Sequence, residues 1–256
     1  MVILVSDAHL GRGGHHTDPT AERDLVQVLE YAAKHQARIY LLGDVFEQFI
    51  EYRYLIPKGA TRLLGALAHH ADSGLQIRYI TGNRDPWHLN YFESELGIPV
   101  FFDYLIESFF GKRVLLTHGD LFESTKRLYQ KLRSVLRHPI PTTLYRNLFP
   151  GDVGYALARR FSLLTLSPQP DPKTIAALEE AAQKMFIKFH CEMVVMGHSH
   201  SMELRVFKEG TYINCGFWYK NRTFAVLNAN SITLNEWKNG TVRQLQSYHH
   251  QNVHNS

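Results

Sequence analysis

Five short apolar runs in the sequence each end in a polar motif that contains aspartate, histidine or asparagine. Carboxylate, imidazole and amide groups bind divalent metal ions in proteins and take part in hydrolysis. In chain order the motifs are Asp7-Ala8-His9, Gly43-Asp44, Gly82-Asn83-Arg84-Asp85, His118-Gly119-Asp120 and Gly197-His198-Ser199-His200. Any one of them alone is more often a turn or a buried hydrogen-bonded pair. Five in order, each at the end of a strand-like run, predict a metal-dependent hydrolase.

The spacing within two motifs allows both polar residues of a motif to bind metal at the same site. Asp7 and His9, and likewise His198 and His200, lie two residues apart, so in extended backbone their side chains emerge on the same side. The oxygen and nitrogen donors suit Mn, Fe, Zn or Co rather than calcium. The candidate ligands are Asp7, His9, Asp44, Asn83, His118, His198 and His200. Seven groups exceed the needs of one ion, so we expect two divalent ions, which together can clamp the oxygens of a phosphoryl displacement.

The elements between the motifs predict how the ligands meet. After each of the first two apolar runs, apolar residues recur at three- and four-residue steps, as on one face of a helix; they are Leu25, Val26, Leu29, Ala32 and Ala33, then Leu63, Leu64, Leu67 and Ala68. Alternating strands and helices predict a parallel or mixed sheet with ligands beyond the carboxyl ends of its strands. After His200, short alternating segments predict a β-meander.

Residues 121–190 interrupt this alternation. Leu128, Leu132, Val135 and Leu136 line one helix face, while Arg127, Lys131, Ser134 and Arg137 line another. Prolines at 139, 141 and 150 divide the region into short helices. We expect one domain over residues 1–247, with 121–190 as a helical insertion that forms a lid between two strands of the main sheet, and a disordered tail over 248–256.

Composition excludes several classes of protein. A chain of 256 residues, 45% of them hydrophobic, can bury the core of one large domain. Cys191 and Cys215 are too few for a disulfide framework, and we expect both to be buried in packing. The first apolar run is shorter than a signal-peptide core, and nowhere do eighteen apolar residues run together. We expect a cytoplasmic protein that does not span a membrane.

The basic residues are concentrated in one region. Eight of them, against two acidic residues, lie between positions 121 and 162 of a chain whose net charge is +4. They are interspersed with Leu and Val rather than with the aromatic residues on which bases stack, so we expect no nucleic acid partner.

The order of the five motifs resembles the calcineurin-like metallophosphoesterase superfamily. The resemblance implies an α/β (α+β) fold, a two-sheet β-sandwich flanked by helices, with two metal ions at the sheet ends. It implies that Asp7, His9 and His200 bind one ion, that Asn83, His118 and His198 bind the other, and that Asp44 bridges them. A hydroxide that bridges the ions would then attack phosphorus. We expect Asp85 and Asp120 to hold a ligand or Arg84 in place.

Arg84 restricts the bond that can be cleaved. Many members of the superfamily have a histidine here, which protonates the leaving oxygen, whereas arginine is effectively never deprotonated. Arg84 can therefore bind charge but cannot act as the acid. A phosphate monoester leaves readily as an anion, since its second pKa is about 6, and an alkoxide does not. The residue therefore favours cleavage of a diphosphate bond, unless it only pairs with Asp85 or Asp120 to hold the loop.

A narrower resemblance, to the UDP-2,3-diacylglucosamine hydrolases of lipid A synthesis, rests on Gly-Asn-Arg-Asp and the basic insertion. Tyr129-Gln130, His138-Pro139 and the segment 144–150 also match that family. It implies metal-dependent hydrolysis of the diphosphate bond of an acylated nucleotide sugar, giving UMP and 2,3-diacylglucosamine 1-phosphate. The enzyme would lie peripherally at the inner face of the cytoplasmic membrane, an anionic surface that basic and apolar insertion residues suit.

The same resemblance makes Arg84, Lys126, Arg127 and Tyr129 the candidate substrate contacts. Ser124-Thr125-Lys126 replaces the family's Thr-Asp-Asp, and residues 162–172 lack its Ser, Asn and Lys cluster. We expect manganese as the metal. Two alternatives stay open: a binuclear enzyme for another nucleotide-lipid diphosphate or phosphodiester, and a non-catalytic binding module with the same fold.

Overall fold

The fold is that of a computed structural model, which describes residues 1–12, 18–123, 127–164 and 170–249, with the side chains at 127–129, 132 and 161–164 outside that description. The strands are β1 (Val2–Val5), β2 (Arg38–Leu42), β3 (Ile77–Ile80), β4 (Val100–Phe101), β5 (Tyr104–Phe109), β6 (Lys112–Thr117), β7 (Met193–Met196), β8 (Met202–Val206), β9 (Thr211–Cys215), β10 (Thr223–Leu227), β11 (Ser231–Lys238) and β12 (Thr241–His249). The helices are α1 (Pro19–Lys34), α2 (Thr61–Asp72), α3 (Tyr91–Ser94), α4 (Arg127–Arg137), α5 (Pro139–Leu148), α6 (Gly151–Leu164), α7 (Pro172–Phe189) and α8 (Trp218–Asn221).

The strands form two sheets. The seven-stranded sheet has the order β12-β11-β10-β1-β2-β3-β4, and the five-stranded sheet has the order β5-β6-β7-β9-β8. Strands β1 to β4 are parallel, as are β6, β7 and β9, while the remaining pairings are antiparallel. The carboxyl ends of the parallel strands carry the five motifs. The predicted two-sheet α/β sandwich is confirmed.

The alternation of side chains along each strand divides the core into layers. One face of the seven-stranded sheet packs against the inner face of the five-stranded sheet, with Leu4 and Val195 among the residues between them. The opposite face, which includes Ile3 and Val5, packs against α1 and α2. Helix α7 covers the outer face of the five-stranded sheet, where Leu178 and Phe186 are buried.

Helices α4 to α7 lie between β6 and β7, which are neighbours in the five-stranded sheet. Hydrogen bonds attach this insertion to the loops that follow β2 and β3, and those of Trp87 and Arg146 are examples. The indole of Trp87 donates a 2.6 Å hydrogen bond to the carbonyl of Leu136. The guanidinium of Arg146 donates to the carbonyls of Glu51 at 2.7 Å and Trp87 at 3.2 Å. Every helix in the described ranges is too short or too polar to span a bilayer.

Two expectations from the sequence need correction. Strands β10, β11 and β12 form a meander, but β8 and β9 belong to the other sheet, where β9 pairs in parallel with β7. All five residues of β9 are buried, and β9 pairs on one side with β8 and on the other with β7. The predicted tail also begins too early, because β12 extends to His249; residues 250–256 lie outside the described residues. Both cysteines are buried, as expected.

Candidate metal centre

Three candidate ligands meet in a first group, where β1 and β7 end. Donor atoms of Asp7, His9 and His200 all lie within 4.8 Å of one another. The Nε2 atoms of His9 and His200 are 3.1 Å apart, and Asp7 Oδ1 is 3.6 Å and 3.3 Å from them. This buried oxygen has no hydrogen-bond partner in the described part of the chain. An orphaned carboxylate oxygen that faces two imidazole nitrogens fits a divalent cation.

A second group adjoins the first. It comprises Asp7, Asp44 and His118, again within 4.8 Å of one another, so Asp7 belongs to both groups. Asp44 Oδ2 lies 3.8 Å from His9 Nε2 and 3.6 Å from His118 Nε2, between ligands expected for different ions. The Oδ1 atom of Asn83 lies 3.0 Å from His118 Nε2. The structure thus brings five of the seven candidate ligands together in two adjoining groups, and a sixth, Asn83, contacts His118 of the second group.

His198, the seventh candidate, lies beside the second group. Its ring centroid is 5.1 Å from that of His118, but its Nε2 atom faces Glu123 Oε2 at 3.0 Å. Glu123 is buried and also accepts a hydrogen bond from the hydroxyl of Thr174 in α7. Because Nε2 is engaged by Glu123, Nδ1 is the atom of His198 that is left to bind a metal.

Hydrogen bonds fix the orientation of the imidazoles of two candidate ligands. Nδ1 of His118 donates to the carbonyl of Leu42 at 2.9 Å, and Nδ1 of His9 contacts Glu47 Oε2 at 2.9 Å. In both residues Nε2 is left to face the centre. The ring of His200 is instead stacked on Phe217, with centroids 4.1 Å apart and planes 1° from parallel.

Each candidate ligand carboxylate is anchored through one oxygen, which leaves the other available to a cation. Asp7 Oδ2 accepts from the hydroxyl of Ser6 at 2.5 Å and from the backbone N–H of His198 at 2.9 Å. Asp44 Oδ1 accepts from the backbone N–H of Arg84 at 2.7 Å. The other two oxygens, Asp7 Oδ1 and Asp44 Oδ2, therefore face the centre, where they lie near the imidazoles.

Asp85 connects the loops that follow β2 and β3. Its buried carboxylate accepts hydrogen bonds from the backbone N–H groups of Gly82 at 2.7 Å, Asp44 at 3.1 Å and Val45 at 2.8 Å, and from the hydroxyl of Tyr79. We expected Asp85 to hold a ligand or Arg84 in place. The carboxylate holds the backbone around the candidate ligands Asp44 and Asn83.

The loops approach closely and adopt strained conformations. Five candidate ligands have positive φ: Asp7 (57°), His9 (43°), Asp44 (51°), His198 (68°) and His200 (57°). Such residues cost on the order of 1 kcal/mol or more each and persist only where the surroundings enforce them. A Cβ on Gly43 would lie 2.6 Å from Cα of Gly82, so the second and third motifs require glycine at their first positions.

The buried charges perturb one another. Burial would lower the pKa of His9, but the carboxylates of Asp7 and Glu47 raise it to about 9. Burial would raise the pKa of Asp7, yet the nearby His118 and His200 hold it well below its usual range. The pKa of Asp44 is raised, chiefly by burial. Without metal, the centre therefore retains protons that a divalent cation would displace.

Two arginines lie at the edge of the centre. Nη1 of Arg84 is 4.0 Å from Glu47 Oε1, and the Arg84 side chain is 13% exposed. The guanidinium of Arg12 lies 5.7 Å from the ring of Phe217 and 5.6 Å from that of Tyr219. Burial would raise the pKa of Glu47, but its hydrogen bond to His9 and the charges of His9, Arg84 and Arg12 lower it.

Sequence reasoning did not identify Glu47 or Glu123. Each is an acidic residue three positions after the aspartate of a motif, Asp44 and Asp120 respectively, and that shared spacing could have indicated them. Both contact a candidate histidine ligand through an imidazole nitrogen. Ser6 and Arg12 were also missed, and neither belongs to a recognisable pattern.

Several basic residues of the insertion are engaged within the protein rather than presented to a ligand. Arg133 contacts Asp120 and Asp103 at 2.6 Å and 2.9 Å, and Arg137 contacts Asp120 at 3.2 Å. Arg146 binds main-chain carbonyls. The expectation that the basic residues of the insertion suit an anionic membrane surface is therefore wrong for these three, because acceptors within the protein hold their guanidinium groups.

The substrate contacts expected in the insertion fall at the edge of the described structure. Lys126 lies outside the described residues, and Arg127 and Tyr129 are described only as backbone of α4. Gln130, the next residue, donates to the carbonyls of Asp120 at 2.6 Å and Glu123 at 2.9 Å. It holds the loop that follows His118.

Comparisons with known proteins agree with this geometry. The calcineurin-like phosphoesterase family model matches residues 1–202. A Porphyromonas gingivalis protein named UDP-2,3-diacylglucosamine hydrolase is 32% identical over 255 residues, 91% of this chain and 96% of its own. A protein of the same name from Pseudomonas putida is 29% identical over 202 residues, 78% and 82% of the two chains. Vacuolar Protein Sorting 29 from Cryptosporidium parvum has a similar fold, with a TM-score of 0.50, 15% identity and 97% of both chains covered.

Proposed function

Because the chain belongs to the calcineurin-like phosphoesterase family, we propose that it hydrolyses the diphosphate bond of UDP-2,3-diacylglucosamine, in lipid A synthesis. The products are UMP and 2,3-diacylglucosamine 1-phosphate. The names of the relatives from Porphyromonas gingivalis and Pseudomonas putida support this substrate, and the first of them matches nearly the whole chain.

The observation that carries the proposal is the position of Arg84. Its backbone is bound to Asp44, and its side chain lies at the edge of the two ligand groups. A guanidinium there neutralises phosphate charge through paired N–H donors, but it does not release a proton to a leaving group. The reaction it suits is one whose leaving group departs as a stable anion, as a phosphate monoester does.

The proposed cofactors are two divalent ions, which we take to be manganese. Asp7, His9 and His200 would hold one ion, and Asn83, His118 and His198 the other, with Asp44 between them. When bound, the ions would supply Lewis acids and an activated water nucleophile. Glu47, Glu123 and Leu42 would fix the imidazole orientations, and Arg84 would bind and orient the diphosphate.

The insertion offers a surface for an acylated substrate at a membrane. Ile140, Leu144 and Leu148 recur every four residues on α5 and are 70%, 56% and 63% exposed. Leu55 is also exposed, and its side chain lies beside Gly151 at the start of α6. Lys131, Arg159 and Arg160 are exposed cations of the same insertion. We propose that these exposed residues contact the anionic inner leaflet of the cytoplasmic membrane.

The direct test is incubation of the purified protein and Mn²⁺ with UDP-2,3-diacylglucosamine, followed by chromatography for UMP. We expect UMP and the acylated sugar 1-phosphate in equal amounts, and much slower hydrolysis of the same UDP-sugar without its acyl chains. Equal turnover of the deacylated compound would contradict the proposed substrate while leaving diphosphate hydrolysis intact. The Asp44→Ala variant is the control for hydrolysis by a contaminating enzyme.

A further inference from the structure

One guanidinium from the insertion joins the loops that follow strands of both sheets. Arg137, at the end of α4, donates through Nη2 to the carbonyl of Gly82 at 2.7 Å and to Asp120 Oδ2 at 3.2 Å. Its Nη1 donates to the hydroxyl of Thr81 at 3.2 Å and to the carbonyl of Phe102. Thr81 and Gly82 follow β3 in the seven-stranded sheet, whereas Asp120 follows β6 in the five-stranded sheet.

The acceptors of Arg137 are close in sequence to groups of the metal centre. Gly82 immediately precedes Asn83 and Arg84, and Asp120 follows His118 by two residues. Asn83 and His118 face each other across the two loops, with Oδ1 and Nε2 3.0 Å apart. We propose that Arg137 is a positioning residue that sets Asn83 and Arg84 against His118, so that the insertion helix is a working part of the diphosphate-cleaving site. The inference rests on the proposed function.

The chemistry of arginine suits this role. The Arg137 side chain is 12% exposed and that of Asp120 is 2% exposed, so both charges depend on each other and on the surrounding acceptors. A planar guanidinium can direct donors to a carbonyl and a carboxylate at the same time. Lysine offers a single flexible ammonium at the same place, and it cannot hold both loops in a fixed geometry.

Asp120 anchors α4 through two arginines. Its Oδ2 lies 2.6 Å from Nε of Arg133 and 3.2 Å from Nη2 of Arg137. Arg133 contacts the carboxylates of Asp120 and Asp103, whereas Arg137 also donates to the carbonyl of Gly82, beside Asn83.

Arg146 provides a matched control. It too lies in the insertion, in α5. It donates to the main-chain carbonyls of Glu51 and Trp87, in the loops that follow β2 and β3. Neither of these residues is adjacent to a candidate metal ligand. The Arg146 variant therefore measures how metal affinity and activity change when the insertion is held less firmly. The Arg137 variant measures in addition the effect of releasing the loop that carries Asn83.

The experiment compares Arg137→Met, Arg137→Lys and Arg146→Met with the wild-type protein. Calorimetric titration of the metal-free proteins with Mn²⁺ gives the number of ions and their Kd values, and UMP release gives kcat and KM. We expect Arg137→Met to bind one ion normally and the other about 10- to 100-fold more weakly, with kcat reduced more than KM is raised. Arg137→Lys should be intermediate. Arg146→Met should bind both ions within about twofold of wild type.

Two results would overturn the inference. One is wild-type affinity for both ions and wild-type kcat in Arg137→Met or, if that variant does not fold, in Arg137→Lys. The other is an equal loss of metal affinity in Arg146→Met, which would assign the effect to docking of the insertion in general. If the wild-type protein does not cleave UDP-2,3-diacylglucosamine, the proposed function fails, but the Mn²⁺ titrations still decide the role of Arg137.

Discussion

The backbone N–H of Arg84 donates a 2.7 Å hydrogen bond to Oδ1 of Asp44. This bond turns the other oxygen of Asp44 toward His9 and His118, whose Nε2 atoms lie 3.8 Å and 3.6 Å away. One carboxylate therefore fixes the residue proposed to bind the diphosphate and faces both groups proposed to bind the metal ions. The second and third motifs act as one unit.

Replacement of Asp44 by asparagine separates the two roles of this carboxylate. The amide oxygen of the new side chain can still accept from the N–H of Arg84, but the charge that faces both ligand groups is lost. Changes to residues that merely support ligands cost about 10- to 100-fold, so we expect Asp44→Asn to lose more than about 100-fold in kcat. Elemental analysis should find less than two ions per chain. Full metal content with unchanged kcat would contradict the bridging role.

The proposed role of Arg84 is to restrict the centre to leaving groups that depart as stable anions. Charge-assisted hydrogen bonds are worth about 1.5–3 kcal/mol, so Arg84→Met should lose roughly 10- to 100-fold in kcat/KM on the diphosphate. Arg84→His introduces a side chain that can donate a proton near neutral pH. We expect its activity on a methyl ester of UMP, relative to the diphosphate, to rise at least about tenfold. An unchanged ratio would count against the leaving-group argument.

Glu47 holds His9 through a 2.9 Å contact between Oε2 and Nδ1. Leucine at this position removes the acceptor, whereas glutamine retains an acceptor without the charge. We therefore expect Glu47→Leu to weaken Mn²⁺ binding by about 10- to 100-fold and Glu47→Gln to weaken it less. Calorimetric titration of the metal-free variants measures both. Equal affinities for the leucine variant and the wild-type protein would exclude an orienting role.

His88 should make the protein sensitive to acid. It is buried against Phe49, Tyr79 and Phe92, with ring centroids 4.5–4.9 Å away. Burial lowers its pKa from 6.5 to about 3. Because the unfolded chain takes up the proton first, the stability that His88 contributes is complete above pH 6.5. It is lost as the pH falls from 6.5 toward 3.

The variant His88→Phe removes this titration and keeps an aromatic ring. Below about pH 6.5 the free energy of unfolding of the wild-type protein should fall relative to the variant, by up to about 1.4 kcal/mol per pH unit. Urea unfolding of both proteins at pH 7.5, 5.5 and 4.5 measures the difference. Parallel losses of stability in the two proteins would show that His88 does not titrate in this way.

The apolar stripe on α5 should mediate membrane contact. Serine at Ile140, Leu144 and Leu148 removes apolar surface that is already exposed, so folding should be little affected. Binding to vesicles that contain anionic lipid should weaken by about tenfold or more in cosedimentation. Ile187→Ser, at a 68% exposed position on α7, is the control and should bind as the wild type does. Undiminished binding of the triple variant would place the membrane contact elsewhere.

The apolar runs in the sequence were sufficient to predict where the strands end and which candidate ligands follow them. Asp7, Asp44 and Asn83 follow buried strands whose apolar runs are visible in the chain, and parallel pairing then brings their loops to one edge. The partner of β9 could not be read in this way, because burial on both faces does not distinguish one sheet from the other.

The insertion was harder to interpret. The spacing of Leu and Arg in α4 correctly indicated a helix. It did not indicate whether the basic face of that helix is directed toward solvent or toward the protein. Arg133 and Arg137 turn inward because they pair with Asp120, a buried carboxylate in the segment that precedes α4. Charge pairing across 13 and 17 residues leaves no periodic pattern in a single sequence.

The most direct test of the proposed function identifies the bond that is broken. UDP-2,3-diacylglucosamine is incubated with the Mn²⁺-loaded protein in water enriched in ¹⁸O, and the masses of the products are measured by mass spectrometry. We expect one ¹⁸O atom in the phosphate of UMP, none in 2,3-diacylglucosamine 1-phosphate, and no products from Asp44→Asn. Release of UDP with the label in the sugar, or no products from the wild-type protein, would contradict hydrolysis of the diphosphate bond at this centre.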